Sequence, residues 1–151
     1  MDDKLIDSIL QEAAYCIIGL SDNGQPYTLP MNFGFKENKL YLHSFPDGKK
    51  MEILKVNNRI SFGVTIKTEL IKSEKPCNWG MRYMSVLGQG YANFLNDRKH
   101  KIDALNIIME KYDDGTSVDE NFEYDDATID STAVIMVEIR SLSGKISGFE
   151  I

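Results

Sequence analysis

Ser44, Asp47, Gly48, Lys49 and Lys50 fall within one short stretch, and their types are those that hold a phosphate monoester. Residues 41–56 read YLHSFPDGKKMEILKV. Leu40, Tyr41, Leu42 and His43 predict a strand, Pro46-Asp47-Gly48 breaks it, and Met51, Ile53 and Leu54 restart the chain as a helix. Asp47 stands where an N-cap belongs, which would put Gly48, Lys49 and Lys50 in the first helical turn. Such a turn offers unpaired backbone N–H groups, the positive end of a helix dipole and two ammonium groups, with the Ser44 hydroxyl just upstream. The competing reading is an ordinary strand-to-helix connection with solvated lysines, in which Asp47 repels an anion.

Two further segments suit a flat ligand beside that anchor. Pro30 cannot donate to a sheet ladder, so Pro30-Met31-Asn32-Phe33 marks an edge, a bulge or a cleft wall. Its freed backbone groups, the Asn32 amide and the Ser85 hydroxyl of Tyr83-Met84-Ser85-Val86 can meet the heteroatom edge of a ring system. Plain sheet packing explains the same residues without a ligand. His43 is the one histidine near this region, and a lone histidine at a strand end is more often a hydrogen-bonded structural residue than a ligand. No Ser/His/Asp spacing points to hydrolysis, and Cys16, Cys77, His43 and His100 form no zinc pattern. Cys77 reads as a buried small hydrophobe beside Trp79 rather than a reactive thiol. The LGQG glycines lack the lysine of a P-loop and the setting of a dinucleotide motif.

Composition narrows the classes. The 151 residues carry a net charge of −6, with 42% hydrophobic and 26% charged residues. This is an ordinary balance for one soluble domain over residues 1–151 and argues against nucleic acid or a membrane surface as partner. MDDKLID lacks the basic start and apolar core of a signal peptide, so the expected location is the cytoplasm. Two widely spaced cysteines fit a reducing compartment better than a disulfide framework.

The elements that must position these groups are mostly strands. A helix is predicted over residues 2–14, with Leu5, Ile6, Ile9, Leu10 and Ala13 on one stripe. Strands are predicted over 15–20, 27–35 and 40–44, joined by Ser21-Asp22-Asn23-Gly24 and Lys36-Glu37-Asn38-Lys39 into a meander. Ile60, Phe62, Val64 and Ile66 alternate with polar residues as a half-buried strand. Residues 82–95 form another, whose Gly88 and Gly90 mark a bend or the close approach of another backbone. Asn96 or Asp97 caps a second helix over 97–112. Residues 113–126 hold seven carboxylates and no basic residue, in a spacing that is not a calcium loop, and read as a solvated loop. A last strand over 133–139 precedes a turn at Ser143-Gly144-Lys145. Hairpins with small flanking helices make the fold mainly β, a compact barrel.

LPMNF (29–33), LYLHSFPDGKKMEIL (40–54), NNRISFGV (57–64), CNWGMRYMSVLGQGYANFL (77–95) and KIDALNIIMEKY (101–112) resemble, in order, the FMN-binding split-barrel flavoproteins related to pyridoxamine 5′-phosphate oxidase. The nitroimidazole-resistance branch is the most similar. The resemblance implies a six-stranded split β-barrel that forms a homodimer and holds FMN in clefts between subunits. It implies that Lys50 binds the FMN phosphate, with Ser44 beside it and Lys49 where the pattern often has arginine. Pro30, Met31 and Asn32 would run along the isoalloxazine, Ser85 and Val86 would lie near its other side, and His43 would stand at the flavin face. No metal is implied. The longer substrate-binding tail of true pyridoxamine phosphate oxidases is missing, which argues against that reaction. The implied activity is reduction of a small nitroaromatic or quinone-like acceptor by bound FMN, with NADH or NADPH as donor. His43 would position the substrate. The alternative is a flavin- or haem-binding carrier or sensor without turnover, with His43 as an axial ligand.

Overall fold

The computed structural model describes residues 1–116 and 122–149. Helix α1 (Asp3–Glu12) is followed by β1 (Cys16–Asp22), β2 (Gln25–Met31), β3 (Gly34–Lys36) and β4 (Lys39–Ser44). Then come α2 (Lys49–Val56), the long strands β5 (Arg59–Ile71) and β6 (Gly80–Leu95), α3 (Arg98–Tyr112), α4 (Asp126–Ser131) and β7 (Ala133–Ser147). A single 3₁₀ turn, Pro76–Asn78, sits between β5 and β6.

All seven strands form one antiparallel sheet in the order β2-β1-β5-β6-β7-β4-β3. The mainly-β split-barrel class is therefore as expected, with seven strands rather than six. The extra strand arises because 27–35 is not continuous. It breaks at Asn32-Phe33, and its two halves lie at opposite ends of the strand order, so the expected meander does not exist. The break has a packing cause. Phe33 is fully buried, and Gly34 lies so close to Ile107 and Ile108 of α3 that an added Cβ would sit 2.9 Å from either. Asn23 and Gly24 (φ 51° and 85°), and likewise Glu37 and Asn38 (φ 51° and 58°), take the left-handed conformations that two-residue hairpins require.

Alternation sorts each strand into a core face and an outer face. Cys16, Ile18, Leu20, Phe62, Val64 and Val86 point inward with Val137 of β7, and Ile6, Ile9 and Leu10 of α1 pack onto the same core. Ile17, Gly63 and Leu87 stand in one outward row across β1, β5 and β6. Gly90 meets the expected close approach of another backbone, whereas Gly88 makes room for a side chain. A Cβ at Gly88 would overlap the buried Phe62 ring, and one at Gly90 would overlap the Glu138 carbonyl, beside a bulge between β6 and β7. A smaller cluster of Ala104, Leu105, Ile129 and Val134 ties α3 and α4 to β7.

Other expectations are corrected. Ser143-Gly144-Lys145 is not a turn, because β7 continues through Ser147 and Gly144 pairs with Val86. Cys77 is exposed, whereas Cys16 is the buried thiol, and both are free. Of the acidic stretch 113–126, residues 117–121 lie outside the described residues, and its end enters α4 rather than a loop. Among the described residues, no helix is long and apolar enough to cross a membrane.

Candidate functional site

The phosphate-like stretch folds largely as its sequence predicts, with one change at the cap. β4 ends at Ser44 and α2 begins at Lys49. The N-cap is Gly48, at φ 103°, and no side chain caps the helix. A positive φ is available to glycine at little cost. It turns the chain so that Gly48 rather than Asp47 stands at the helix entrance, which leaves first-turn amides without a side-chain acceptor. Adjacent helical residues diverge by about 100°, and the two lysines therefore part. Lys49 reaches the β1–β2 hairpin, 3.2 Å from an Asp22 carboxylate oxygen and 5.6 Å above the Tyr27 ring. Lys50 turns into a cleft.

That cleft is open and holds about 1080 Å³. Tyr15 and Ile17 form one wall, and Leu29, Pro30, Met31 and Asn32 form the next. His43, Ser44 and Phe45 follow from the end of β4, with Lys50 at the start of α2 and three hydroxyls from the α4 region. Six of the nine residues singled out in the sequence thus line a single space: Pro30, Met31, Asn32, His43, Ser44 and Lys50. Lys49, Ser85 and Val86 do not. Val86 is fully buried, so its side chain belongs to the core. Ser85 pairs with Thr65 and Lys145 near Leu87 of the outward row, away from this cleft.

Each wall has a local reason. β2 is an end strand, so alternate backbone N–H and C=O groups of 29–31 face away from β1 with no strand partner. Pro30 is tolerated there because its missing N–H breaks no central ladder. Behind the wall, the Tyr112 hydroxyl accepts a hydrogen bond from the Phe33 N–H (3.1 Å) and donates to the Ala14 carbonyl (2.8 Å). One phenol therefore fixes the residue after Asn32 and the residue before Tyr15. Lys111 sits 4.7 Å from the Phe33 ring centroid and donates to the Gln11 carbonyl at 2.7 Å. The Cys16 thiol donates to the Met31 carbonyl at 3.5 Å, and burial pushes its pKa up to about 12, so it packs rather than reacts.

Thr128, Ser131 and Thr132 were not foreseen. Residues 127–132 follow the acidic run, and the usable signal was Asp125 three residues before Thr128, a capping pattern. Asp125 accepts from the Thr128 N–H at 2.7 Å and starts α4. Thr128 donates its hydroxyl to Asp125 (3.0 Å), Ser131 to the Ala127 carbonyl (2.8 Å) and Thr132 to the Thr128 carbonyl (2.6 Å). With those protons committed, the three hydroxyl oxygens of these cleft-lining residues keep acceptor capacity, suited to a ligand's hydroxyl or N–H groups. Lys50 is the one ammonium lining the cleft among the described residues, and no carboxylate lines it.

His43 pairs with Val134 in the β4–β7 ladder. Burial holds its pKa below the ordinary imidazole value, so the ring is neutral at pH 7 and can both donate and accept a hydrogen bond. Among the described residues, no group of His, Cys, Asp or Glu is placed to hold a metal ion. The cleft therefore has a flat strand edge, apolar walls, a neutral imidazole and one cation at an end. This arrangement suits an elongated, partly planar molecule with an anionic tail.

The family model described as pyridoxamine 5′-phosphate oxidase matches residues 2–146. The chain belongs to that family. A candidate 5-nitroimidazole antibiotic resistance protein from Bacteroides thetaiotaomicron is 34% identical, with a TM-score of 0.83 over 95% of this chain and 82% of that one. A flavocytochrome from Azotobacter vinelandii shares the fold at 22% identity, TM-score 0.84, over 98% of this chain and 68% of its own. An FAD- and haem-binding protein from Mycobacterium smegmatis does so at 17% identity, TM-score 0.87, over 98% and 72%. No curated protein matches the chain.

Proposed function

We propose that this family member is an FMN-dependent oxidoreductase that acts as a homodimer on a small electron-poor acceptor of the nitroaromatic or quinone type. The observation that carries the reading is the convergence of Pro30, Met31, Asn32, His43, Ser44 and Lys50 on one cleft. The residues present fit the cofactor. Lys50 would hold the phosphate, and the acceptor oxygens of Thr128, Ser131 and Thr132 would receive hydroxyl groups. The free edge of β2 would hydrogen-bond the ring heteroatoms, between the apolar side chains of Ile17, Leu29 and Phe45.

Bound FMN supplies a two-electron redox centre, and no acid–nucleophile pair is required of the protein. The chain's own contribution is positional. Neutral His43 orients a substrate by hydrogen bonding, and the apolar walls exclude water. NADH or NADPH is the proposed electron donor. The nitroaromatic class is drawn from the 34% identical relative.

The dimer reading has its own support. Ile17 is 42% exposed and Leu87 is 61% exposed, with only Gly63 between them in the outward row. Ile17 also lines the cleft, so a second copy seated on this row would close the cleft's open side. It could supply Ser85, which the subunit's own fold holds away from that space. Light scattering should give twice the monomer mass, and Leu87→Glu should shift the protein towards monomer and weaken flavin retention. A monomer that keeps its flavin would overturn the shared-site reading.

The absorption spectrum of the purified protein tests the cofactor. Flavin bands support the proposal. A Soret band would instead support the haem alternative with His43 as ligand, and protein that takes up neither cofactor defeats both. Anaerobic mixing with NADH or NADPH then separates an oxidoreductase from a carrier or sensor, whose flavin would stay oxidised.

A further inference from the structure

β5 and β6 run on past the body of the sheet as an arm. β1 pairs with β5 only from Ser61 to Gly63, and β7 leaves β6 at Tyr83. The last link is the Ser147 hydroxyl, which donates to the Met81 carbonyl at 3.3 Å. The outermost pairs, Glu69 with Arg82, Leu70 with Met81 and Ile71 with Gly80, form a two-stranded ribbon with no third strand among the described residues. Every residue from 67 to 81 is exposed except Ile71, which is half-buried.

A two-stranded ribbon is marginal in water on its own. This one nevertheless carries Leu70, Trp79 and Met81, each between 45% and 49% exposed. Leu70 stands opposite Met81, so the two share a face. Counted by twos along β6, Met81 lies on the face of Leu87, and the extended Trp79 follows two residues further. The arm therefore continues the outward apolar row on which the second copy is seated, about 20 Å from Leu87. The Trp79 indole is held in place, because its Nε1–H donates to the Ser73 carbonyl at 2.8 Å and the Lys72 ammonium lies 5.2 Å from its ring centroid. Charge favours the same partner. Residues 67–82 hold Lys67, Lys72, Lys75 and Arg82 against Glu69 and Glu74, in a chain of net charge −6. Lys67 pairs with Glu12 and Arg82 with Glu69, while Lys72 and Lys75 have no ion-pair partner among the described residues. A basic arm fits the acidic body of a second copy.

We propose that the arm clasps the second copy, laying Leu70, Trp79 and Met81 on its surface, twice over by the twofold symmetry of such a dimer. The clasp rests on the dimer reading and adds to it a contact remote from the Ile17–Leu87 row. Trp79 is the one tryptophan of the chain, so its fluorescence reports on the arm. At matched flavin content, the dimer should emit at shorter wavelength than the Leu87→Glu monomer and resist acrylamide quenching severalfold better. Leu70→Ser combined with Met81→Ser changes two exposed positions and should leave the fold intact. It should raise the dimer dissociation constant, read by sedimentation, at least roughly tenfold. A dimer whose Trp79 emission and quenching match those of the Leu87→Glu monomer would overturn the clasp and leave the dimer standing. A Leu70→Ser, Met81→Ser protein that dimerises as tightly as the parent chain would do the same. No dimer at any concentration, or a Leu87→Glu protein that stays dimeric, would overturn the outward row as an interface and the clasp with it.

Discussion

Tyr112→Phe removes a single oxygen, yet the geometry makes it a test of how the cleft wall is held. That oxygen receives the Phe33 N–H at 3.1 Å and donates to the Ala14 carbonyl at 2.8 Å. The two losses are unequal. Ala14 is exposed, so water replaces the phenol at its carbonyl with little cost. Phe33 is 0% exposed, and a buried donor left without a partner costs about 1–3 kcal/mol. The expected destabilisation is therefore about 2 kcal/mol, or a fall in Tm of about 4–8 °C for a domain of this size. Because Asn32 and Tyr15 adjoin the two tied residues, the wall should also loosen. FMN and riboflavin should then both bind more weakly, by a similar factor, since the phosphate anchor is untouched. Thermal unfolding, amide exchange at Phe33 and paired flavin titrations measure the three effects. An unchanged Tm together with an unchanged exchange rate at Phe33 would refute the claim that this phenol fixes the wall.

Gly88→Ala should destabilise by about 1–3 kcal/mol through overpacking, because the new methyl overlaps the Phe62 ring, which is buried in the core. Urea midpoints read this directly, and a change under about 0.5 kcal/mol would mean that the ring has room to move. His43 is half-buried, and that burial holds its pKa below the ordinary 6.5, so the unfolded chain takes up this proton first as pH falls. Stability from this residue is intact above about pH 6.5 and declines below it, down through the lowered folded pKa. His43→Gln should flatten the stability profile between about pH 7 and pH 5 and retain FMN while altering acceptor reduction. An unaltered profile would place the imidazole in water. Lys49→Ala should leave flavin affinity unchanged and cost at most about 1 kcal/mol of stability, because its pair with Asp22 is largely exposed. A large loss of FMN in this variant would put Lys49 in the site.

Much of the site was legible because its residues lie in short local patterns. The strand ending at Ser44, the break at Pro46-Asp47-Gly48 and the helix through Leu54 all follow from apolar period and turn chemistry. Pro30 announced an edge for the reason that it holds one, its missing N–H. What stayed hidden was non-local. Nothing in residues 27–35 shows that Phe33 must be buried while Gly34 meets α3, and that contact splits the strand and sends its halves to opposite ends of the sheet. The different directions of Lys49 and Lys50 depend on where α2 begins, and that is set by one glycine dihedral. α4 was obscured by acidic composition, since charge density in 113–126 outweighed the short capping pattern at Asp125. The resemblance puts Val86 on the strand near the other side of the flavin, and strand alternation turns its side chain into the core.

Parallel fluorescence titrations of FMN and riboflavin against the native chain and Lys50→Ala test the central claim most directly. Lys50 is the one ammonium lining the cleft among the described residues, so it should act on the phosphate alone. FMN should weaken by about 1.5–3 kcal/mol, roughly ten- to hundredfold, while riboflavin stays within about twofold. Equal losses for both ligands, or none for either, would contradict the assignment of this cleft to FMN with Lys50 at its phosphate.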